Sequence, residues 1–408
     1  MRLTISKRFE FSSSARQFRP DWTDQQNEAT FGPFCRGQYG HGYNYVAHFV
    51  FSGPVDLNNG MMLNVSIIKH RVKRLLADRF DHKFLNRDNS VFADSPPTAE
   101  LMAQALLREA APLFVNEPAR LVACHLTETS TSEATAYVDG HVERHTWVSF
   151  SAARRTCSPH LSDDENDQLF GAAAKEAGHG HNYRLRATLA GTVDNNTGLV
   201  VPYQQSWAAM DSLRNELDHK NLNTEVDWLS DQPITSESLS RLIKRRLSQH
   251  LPVNRVRLFE LPEFFVECTS EDSIMMGYRD SFHAAHRLHS QKLSDEDNLS
   301  VYGKCNNPEG HGHEYVVEAS LKDEYNEQSG TVYDFLKLVV GVRGAVADWN
   351  HRHLDIEVPE FADTVTTGEN IVGNLWPRVD ERLEGRLTRL RLWETPNNRF
   401  TLRKEDSK

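Results

Sequence analysis

Five landmarks recur three times, in one order, along this 408-residue chain. Each series begins with a phenylalanine followed by small residues: FSSSAR from Phe11, FSAARR from Phe150 and FHAAHR from Phe282. An acidic, polar stretch then runs into an aromatic–glycine pair, in DQQNEATFG, SDDENDQLFG and SDEDNLSVYG. A His-Gly pair follows at His41, His179 and His311, and farther on stand DHKFLN at Asp81, DHKNLN at Asp218 and NHRHLD at Asn350. A glutamate closes each series, at Glu128, Glu260 and Glu394. The His-Gly pairs are 138 and 132 residues apart, and the Asp/Asn-His pairs 137 and 132. Five landmarks at nearly constant offsets define a tandem repeat, so the chain folds as three like units rather than as one large domain. The units are expected at residues 1–140, 141–271 and 272–408, with turn-like boundaries at Asp139-Gly140 and at Thr269 to Asp272.

Within a unit the hydrophobic pattern changes period. Two β-like runs come first (ISKRFEFSS and YNYVAHFVF), then two amphipathic helical stretches (VSIIKHRVKRLLADRF and TAELMAQALLREAAPLF), then two more β runs (LVACHLTET and EATAYVD). The unit reads ββααββ, with the acidic stretches as loops. No low-complexity linker separates the units, which points to units packed on one another.

Composition excludes several classes. With 39% hydrophobic and 25% charged residues the chain is globular. No apolar run approaches membrane-spanning length, and the N-terminus lacks the pattern of an export signal. Five cysteines without a C-x-x-C pair fit a reducing, cytoplasmic setting. A net charge of −11 disfavours a nucleic-acid partner.

One unit holds a metal-ligand pattern. His311 and His313, at i and i+2, project from one face of a strand, and the glycine between them leaves room for close approach on the other face. His286, on the preceding β run, supplies a third imidazole. Three neutral imidazoles with an open fourth position suit a catalytic zinc ion. Cys305, six residues before His311, is a thiol suited to act as a base there. The other units depart from this set. Ala15 and Arg154 stand where His286 should be, Tyr43 replaces the second histidine of unit one, and Ala173 replaces the cysteine of unit two.

These residues resemble a known family. FHAAHRL…LSDEDNLSVYGKCNNPEGHGHEY…GTVYDF…WNHRHLD…TTGEN…LWETPNN is similar to 6-pyruvoyl-tetrahydropterin synthase over nearly the whole third unit, and the first two units resemble the same family more loosely. The C-x5-HGH spacing resembles the pyruvoyl-forming branch rather than the 6-carboxytetrahydropterin branch. The resemblance implies an α+β tunnelling fold, in which three ββααββ units close a 12-stranded antiparallel barrel with helices outside. Here one chain would supply all three as a pseudo-trimer, and two chains would stack as a homodimer.

The implied reaction is the conversion of 7,8-dihydroneopterin triphosphate to 6-pyruvoyl-tetrahydropterin with elimination of triphosphate. By resemblance, His286, His311 and His313 hold Zn²⁺, with Mg²⁺ accompanying the substrate triphosphate as a second expectation. Cys305 is the proton acceptor, an Asp-His pair relays protons, and Glu394 anchors the pterin. Glu128 and Glu260 are its counterparts in the other units. Thr367 and Glu369, in TTGEN, are further substrate contacts, with Gly368 where the family often has a hydroxyl residue. Arg287 and Lys304 are candidates for the triphosphate. In the metal-bearing unit the Asp-His pair reads Asn350-His351, and an amide cannot stabilise an imidazolium by charge. His351 remains a candidate, while Asp81-His82 or Asp218-His219 would serve from a neighbouring unit. One composite site per chain is therefore expected. Two alternatives stay open: a carboxy- or hydroxymethyl-pterin product from the same substrate, and a non-catalytic pterin-binding scaffold.

Overall fold

The computed structural model describes residues 1–269 and 273–407. Of the second expected boundary, Thr269 to Asp272, residues 270–272 lie outside the described residues. The first unit contributes strands β1 (Arg2–Ala15), β2 (His41–Pro54), β3 (Arg120–Thr129) and β4 (Ser132–Tyr137). The second contributes β5 (Val142–Arg154), β6 (His179–Gly191), the two-residue β7 (Lys220–Asn221), β8 (Val253–Phe259) and β9 (Phe264–Cys268). The third contributes β10 (Ile274–His286), β11 (His311–Lys322), the two-residue β12 (Arg352–His353), β13 (Leu387–Thr395) and β14 (Asn398–Arg403).

The twelve long strands form one closed antiparallel barrel with helices outside. Two joints link consecutive units, β4 with β5 and β9 with β10. The third joint closes the ring through β14 and β1, from Thr4 opposite Thr401 to Lys7 opposite Asn398. Closure removes the sheet edges that would otherwise invite aggregation.

Alternation along each strand builds two surfaces. On β1, Leu3, Ile5, Phe9 and Phe11 are buried toward the helices, while Thr4, Arg8 and Glu10 face the other way. Each buried side chain of this size contributes about 1.5–3 kcal/mol. The helix Val65–Arg79 answers with Ile68, Val72 and Leu76 on one stripe, and Asn64 caps its first turn through the Ser66 N–H.

The second long helix of each unit locks onto the next unit. Thr98 Oγ1 donates to the Gly198 carbonyl at 2.6 Å, Thr235 to Gly330 at 2.5 Å, and Thr367 to Gly60 at 2.7 Å. Glu100, Glu237 and Glu369 accept the backbone N–H groups of Val200, Val332 and Met62 at 3.3, 3.3 and 2.9 Å. The three glycines share φ values of +68°, +73° and +70°, and a Cβ on Gly60 would lie 2.6 Å from Asn370 Nδ2. Unit one thus grips unit two, unit two grips unit three, and unit three grips unit one.

The acidic stretches differ from expectation. Instead of loops they form short helices, Asp24–Phe31, Asp163–Phe170 and Asp295–Tyr302, capped by Thr23, Ser162 and Ser294. They lack an apolar stripe because each is held by a buried asparagine. Asn27, Asn166 and Asn298 accept the N–H of Arg19, Ser158 and Ser290 at 2.7 Å. Gly368, where the family pattern often has a side chain, is fixed by packing: a Cβ there would lie 2.1 Å from the Phe400 ring.

Burial pushes the Glu237 carboxyl up to about 7. An acid with a raised folded-state pKa contributes its full stability below the ordinary carboxylate range and loses it as pH rises through about 7. Glu237→Gln, which keeps an acceptor for Val332 N–H, should therefore gain stability relative to the parent between pH 5 and pH 8. The expected gain is at most about 3 kcal/mol, read from urea unfolding at each pH. A pH-independent difference would contradict this account of the lock.

Candidate metal centre and its cleft

The end of β10 and the start of β11 pair in register, with His286 opposite His311 and Ala284 opposite His313. Strand pairing and the i, i+2 spacing bring the three rings to the helix-facing side of the sheet. Their centroids are 4.5, 5.2 and 5.0 Å apart, and one nitrogen from each lies within 4.8 Å of the others. His286 is buried, and its Nδ1–H donates to the Thr366 carbonyl at 2.8 Å. That bond fixes the tautomer and turns the Nε2 lone pair toward the cluster, where it has no hydrogen-bond partner. Burial lowers His286 to about 4, so the ring is neutral near pH 7. His311 is lowered by burial and by His313, and its Nδ1 is also without a partner. Neutral rings and buried nitrogens lacking partners are the donor set that a divalent transition metal needs.

The support around His286 is polar and ordered. Thr366 Oγ1 donates to Asp355 at 2.7 Å and lies 3.1 Å from the Arg287 carbonyl. The close approach expected at the glycine between the histidines lies mainly at Gly310. A Cβ there would be 2.9 Å from the His286 carbonyl, against 3.4 Å from the Ala284 carbonyl for Gly312.

One carboxylate adjoins the cluster, and a second acts on that carboxylate electrostatically. Glu394, at the end of β13, places Oε1 3.9 Å from His286 Nε2, and its other oxygen accepts from Asn398 Nδ2 at 3.3 Å. Glu369 is buried at the helix start, and burial raises its pKa to about 7. Thr367 caps that helix through the Asn370 N–H while bonding to Gly60. Cys305 is half-buried in the 3₁₀ turn Gly303–Asn306, where burial and Glu394 raise its thiol pKa and Lys304 opposes them. Arg287 instead bonds the Asn306 carbonyl at 3.2 Å and lines a cavity of about 600 Å³ with Lys292, His353 and Asp355.

The strands leave a cleft at one junction. β13 covers β11 only from Val316 to Leu321, so the histidine-bearing end of β11 is uncovered on that side. β14 covers β1 only from Thr4 to Lys7, although β2 pairs with β1 along its whole length. The turn carrying Glu394 to Asn398 therefore forms the floor between two projecting strand arms. One arm carries His311 and His313; against the other, from unit one, packs the turn with Asp81 and His82, through the Ser12 N–H. A cavity of about 650 Å³ beside this floor is lined by Lys7, Lys69, Lys73, Asp81 and Asn397.

The three Asp/Asn-His pairs share one geometry. Asp81, Asp218 and Asn350 accept the strand N–H of Ser12, Ser151 and His283 at 2.9, 2.8 and 2.9 Å. His82, His219 and His351 sit at φ of 56°, 59° and 61°. Asp81 and Asp218 reach the Nδ1 of His82 and His219 at 3.0 and 3.1 Å. Each pair packs on the first strand of its own unit, which borders the preceding unit. Strand order therefore places Asp81-His82 at the junction with unit three, Asp218-His219 at the junction with unit one, and His351 at the junction with unit two.

The corresponding places in the other units are filled from within. Arg154 Nη2 lies 2.7 Å from Glu260, His181 Nε2 lies 2.9 Å from its other oxygen, and Ser236 Oγ also donates to it. Burial works against the Glu260 charge, but Arg154 and these hydrogen bonds outweigh it and hold the carboxyl at about 2. His179, His181 and Glu260 cluster like metal ligands, yet the Arg154 guanidinium places a fixed positive charge on that cluster. In unit one, Glu128 accepts from Gln17 at 2.8 Å and Ser132 at 2.7 Å, burial raises it to about 7, and His41 contacts the Tyr43 hydroxyl. Glu100 and Glu237 were missed in the sequence, although the Thr-x-Glu triplets at 98–100, 235–237 and 367–369 mark all three.

Comparison with known proteins agrees with this architecture. A family model described as 6-pyruvoyl tetrahydropterin synthase matches residues 4–138, 145–271 and 276–405. The chain belongs to that family, with three family units in one polypeptide. A human 6-pyruvoyl tetrahydrobiopterin synthase is 42% identical over 122 residues, covering 29% of this chain and 84% of the human protein. A dihydroneopterin monophosphate aldolase from Pyrococcus furiosus is 35% identical over 119 residues, covering 29% of this chain and 86% of its own length. The structure of Caenorhabditis elegans 6-pyruvoyl tetrahydropterin synthase shares 41% identity, covers 32% of this chain and 95% of that one, and superposes with a TM-score of 0.31.

Removing Arg154 would leave Glu260 charged and buried. Arg154→Leu should lower unfolding free energy by about 3 kcal/mol, because breaking a buried pair strands its partner. Chemical denaturation checks this, and an unchanged midpoint would mean that Arg154 and Glu260 are not paired in solution.

Proposed function

We propose that the chain is a zinc-dependent pterin synthase that converts 7,8-dihydroneopterin triphosphate to 6-pyruvoyl-tetrahydropterin with elimination of triphosphate, at one composite site per chain. The observation that carries this reading is the cluster of His286, His311 and His313, in which burial lowers the pKa of His286 and His311 and leaves a nitrogen of each without a partner, beside Glu394, whose hydrogen bonding is weak. Synthase names among the relatives support it. Zn²⁺ held by His286, His311 and His313 would polarise the substrate side-chain oxygens and acidify the adjacent C–H.

The remaining chemistry belongs to this chain's side chains. Glu394 and Glu369 accept the ring and amino N–H groups of the pterin, a task that suits carboxylates because each accepts two parallel hydrogen bonds. Cys305 takes the side-chain proton, since a thiolate is favoured beside a dication. His82, held by Asp81 from the neighbouring unit, returns or removes a proton on the opposite face. Lys7, Lys69 and Lys73 bind the triphosphate along the cleft, with Lys304 from the other wall and Mg²⁺ as a companion of the phosphates. Glu128 and Glu260 are occupied by their own neighbours, so those units bind no pterin. No described helix is long and apolar enough to cross a membrane; we assign the enzyme to the cytoplasm, as a homodimer of two stacked barrels.

The Pyrococcus relative favours one second reading, cleavage of the substrate side chain to a hydroxymethyl-pterin. Incubating the purified chain with dihydroneopterin triphosphate, while measuring triphosphate release and product mass, tests both readings. The expected result is triphosphate release with a pyruvoyl product. Retained triphosphate or a hydroxymethyl product moves the assignment to the aldolase type, and tight pterin binding without turnover makes the chain a scaffold. Asp81→Asn should lower kcat by at least about 100-fold, while Asp218→Asn stays within about twofold of the parent. The reverse order would mean that strand order does not set which pair serves the metal.

A further inference from the structure

The strand faces turned away from the helices meet across the barrel interior, and their charges do not balance. Arg257 on β8 acts electrostatically on Glu318 of β11 and on Arg399 of β14, and Arg399 acts on His48 of β2 and His125 of β3. β8 and β14 lie nearly opposite in the ring, so Arg257 and Arg399 face one another across the lumen, whereas His48 and His125 flank Arg399 along the same wall. At this level five arginines (Arg257, Arg279, Arg389, Arg391, Arg399) face two carboxylates. Glu267 takes Arg257 at 2.7 Å. Glu318 takes Arg279 at 2.8 Å, Arg391 at 2.9 Å and Arg389 at 3.5 Å. Three positive charges remain in excess. The flanking pairs Arg255–Glu143 and Arg186–Glu133 add equal charges of both signs.

Arg399 has no carboxylate within ion-pair distance among the described residues, and its guanidinium lies 5.8 Å from the Trp393 ring centroid. The Nε atoms of Arg389, Arg391 and Arg399 have no acceptor, and the Arg389 side chain is only 8% exposed. Burial and the like charges of their neighbours lower the pKa of Arg391 and of Arg399, the latter to about 9. A low-dielectric tunnel with excess positive charge concentrates anions.

There is also an entrance. At the barrel end opposite the metal cluster, a cavity of about 550 Å³ is lined by Lys322, Arg389, Arg403 and Lys404 against Glu405. Arg389 joins it to the lumen, with Nη2 3.1 Å from Ser320 Oγ. Nothing in the proposed reaction uses this face.

We propose that the barrel lumen is a binding site for a phosphate-class anion, entering past Arg389 and Arg403 and held by Arg389, Arg391 and Arg399 over the Trp393 ring. The occupant is inorganic phosphate or a linear polyphosphate, both of which present oxygens to the guanidinium forks.

Isothermal titration of the full chain with orthophosphate, and separately with triphosphate, at low ionic strength tests the site. The expected result is saturable binding that weakens as sodium chloride is added and persists in His313→Ala, which disrupts the metal cluster. Arg399→Gln should bind about tenfold more weakly, because one charged hydrogen-bonding group is lost. In phosphate-free buffer that variant should be at least as thermostable as the parent, because an uncompensated charge has gone. Tighter binding of triphosphate assigns a polyphosphate, and equal affinity assigns a single phosphate group. Arg403→Gln, at the mouth, provides a second reading should Arg399→Gln fail to fold, and should also weaken binding. Parent-like affinity in a folded lumen variant, loss of binding in His313→Ala, or no saturable heat with either anion would overturn the proposal.

Discussion

Main-chain pairing of β14 with β1 holds the molecule together as a ring. It spans only Thr4 to Lys7, yet it makes the first and last units neighbours across nearly the whole length of the chain. Without it the sheet would present two free edges and the third-unit cluster would face solvent on one side. The threonine, glutamate and glycine locks repeat the same logic in the outer layer, and the last of the three, Thr367 with Gly60, spans the same junction. Covalent linkage also fixes the order of the units, so each junction has a single composition. A symmetric trimer of identical subunits would carry three equivalent clefts; a fused chain is free to let them differ.

The differences are physically coherent. Where a histidine is absent, the buried carboxylate at the strand end has acquired internal partners. Arg154 neutralises Glu260, and Gln17 with Ser132 satisfies Glu128. A buried charge without a partner is costly, and in each altered cleft the carboxylate has partners from its own unit. At the third junction the opposite holds. Among the described residues Glu394 keeps a long contact from Asn398 and a longer one from His286, and a nitrogen each of His286 and His311 stays without a partner. Buried imidazole nitrogens left without partners, clustered on three histidines, mark where a ligand completes the structure.

Much of this was legible in the sequence. The landmark spacing yields three ββααββ units, and the histidine positions pick out the cluster the fold assembles. Less legible were features that depend on three-dimensional neighbours. The helices at 24–31, 163–170 and 295–302 rest on caps and a buried asparagine, which hydrophobic periodicity does not detect. Which Asp-His pair meets the cluster depends on the direction of ring closure, and no local pattern encodes that. Glu100 and Glu237 escaped notice because a Thr-x-Glu triplet reads as an ordinary capped helix start. The lumen charge lies in plain view as alternating arginines in VNRVRLF and LTRLRLW, but only closure turns those faces toward one another.

The claim of a single ligand-competent junction is tested most directly by counting metal. Elemental analysis of the purified 46.6 kDa chain, dialysed after exposure to zinc, should give one tightly bound zinc per chain. His286→Ala should bring that value to zero, and Arg154→Ala should leave it at one. Two or three zinc ions per parent chain, or one that survives His286→Ala, would contradict the account.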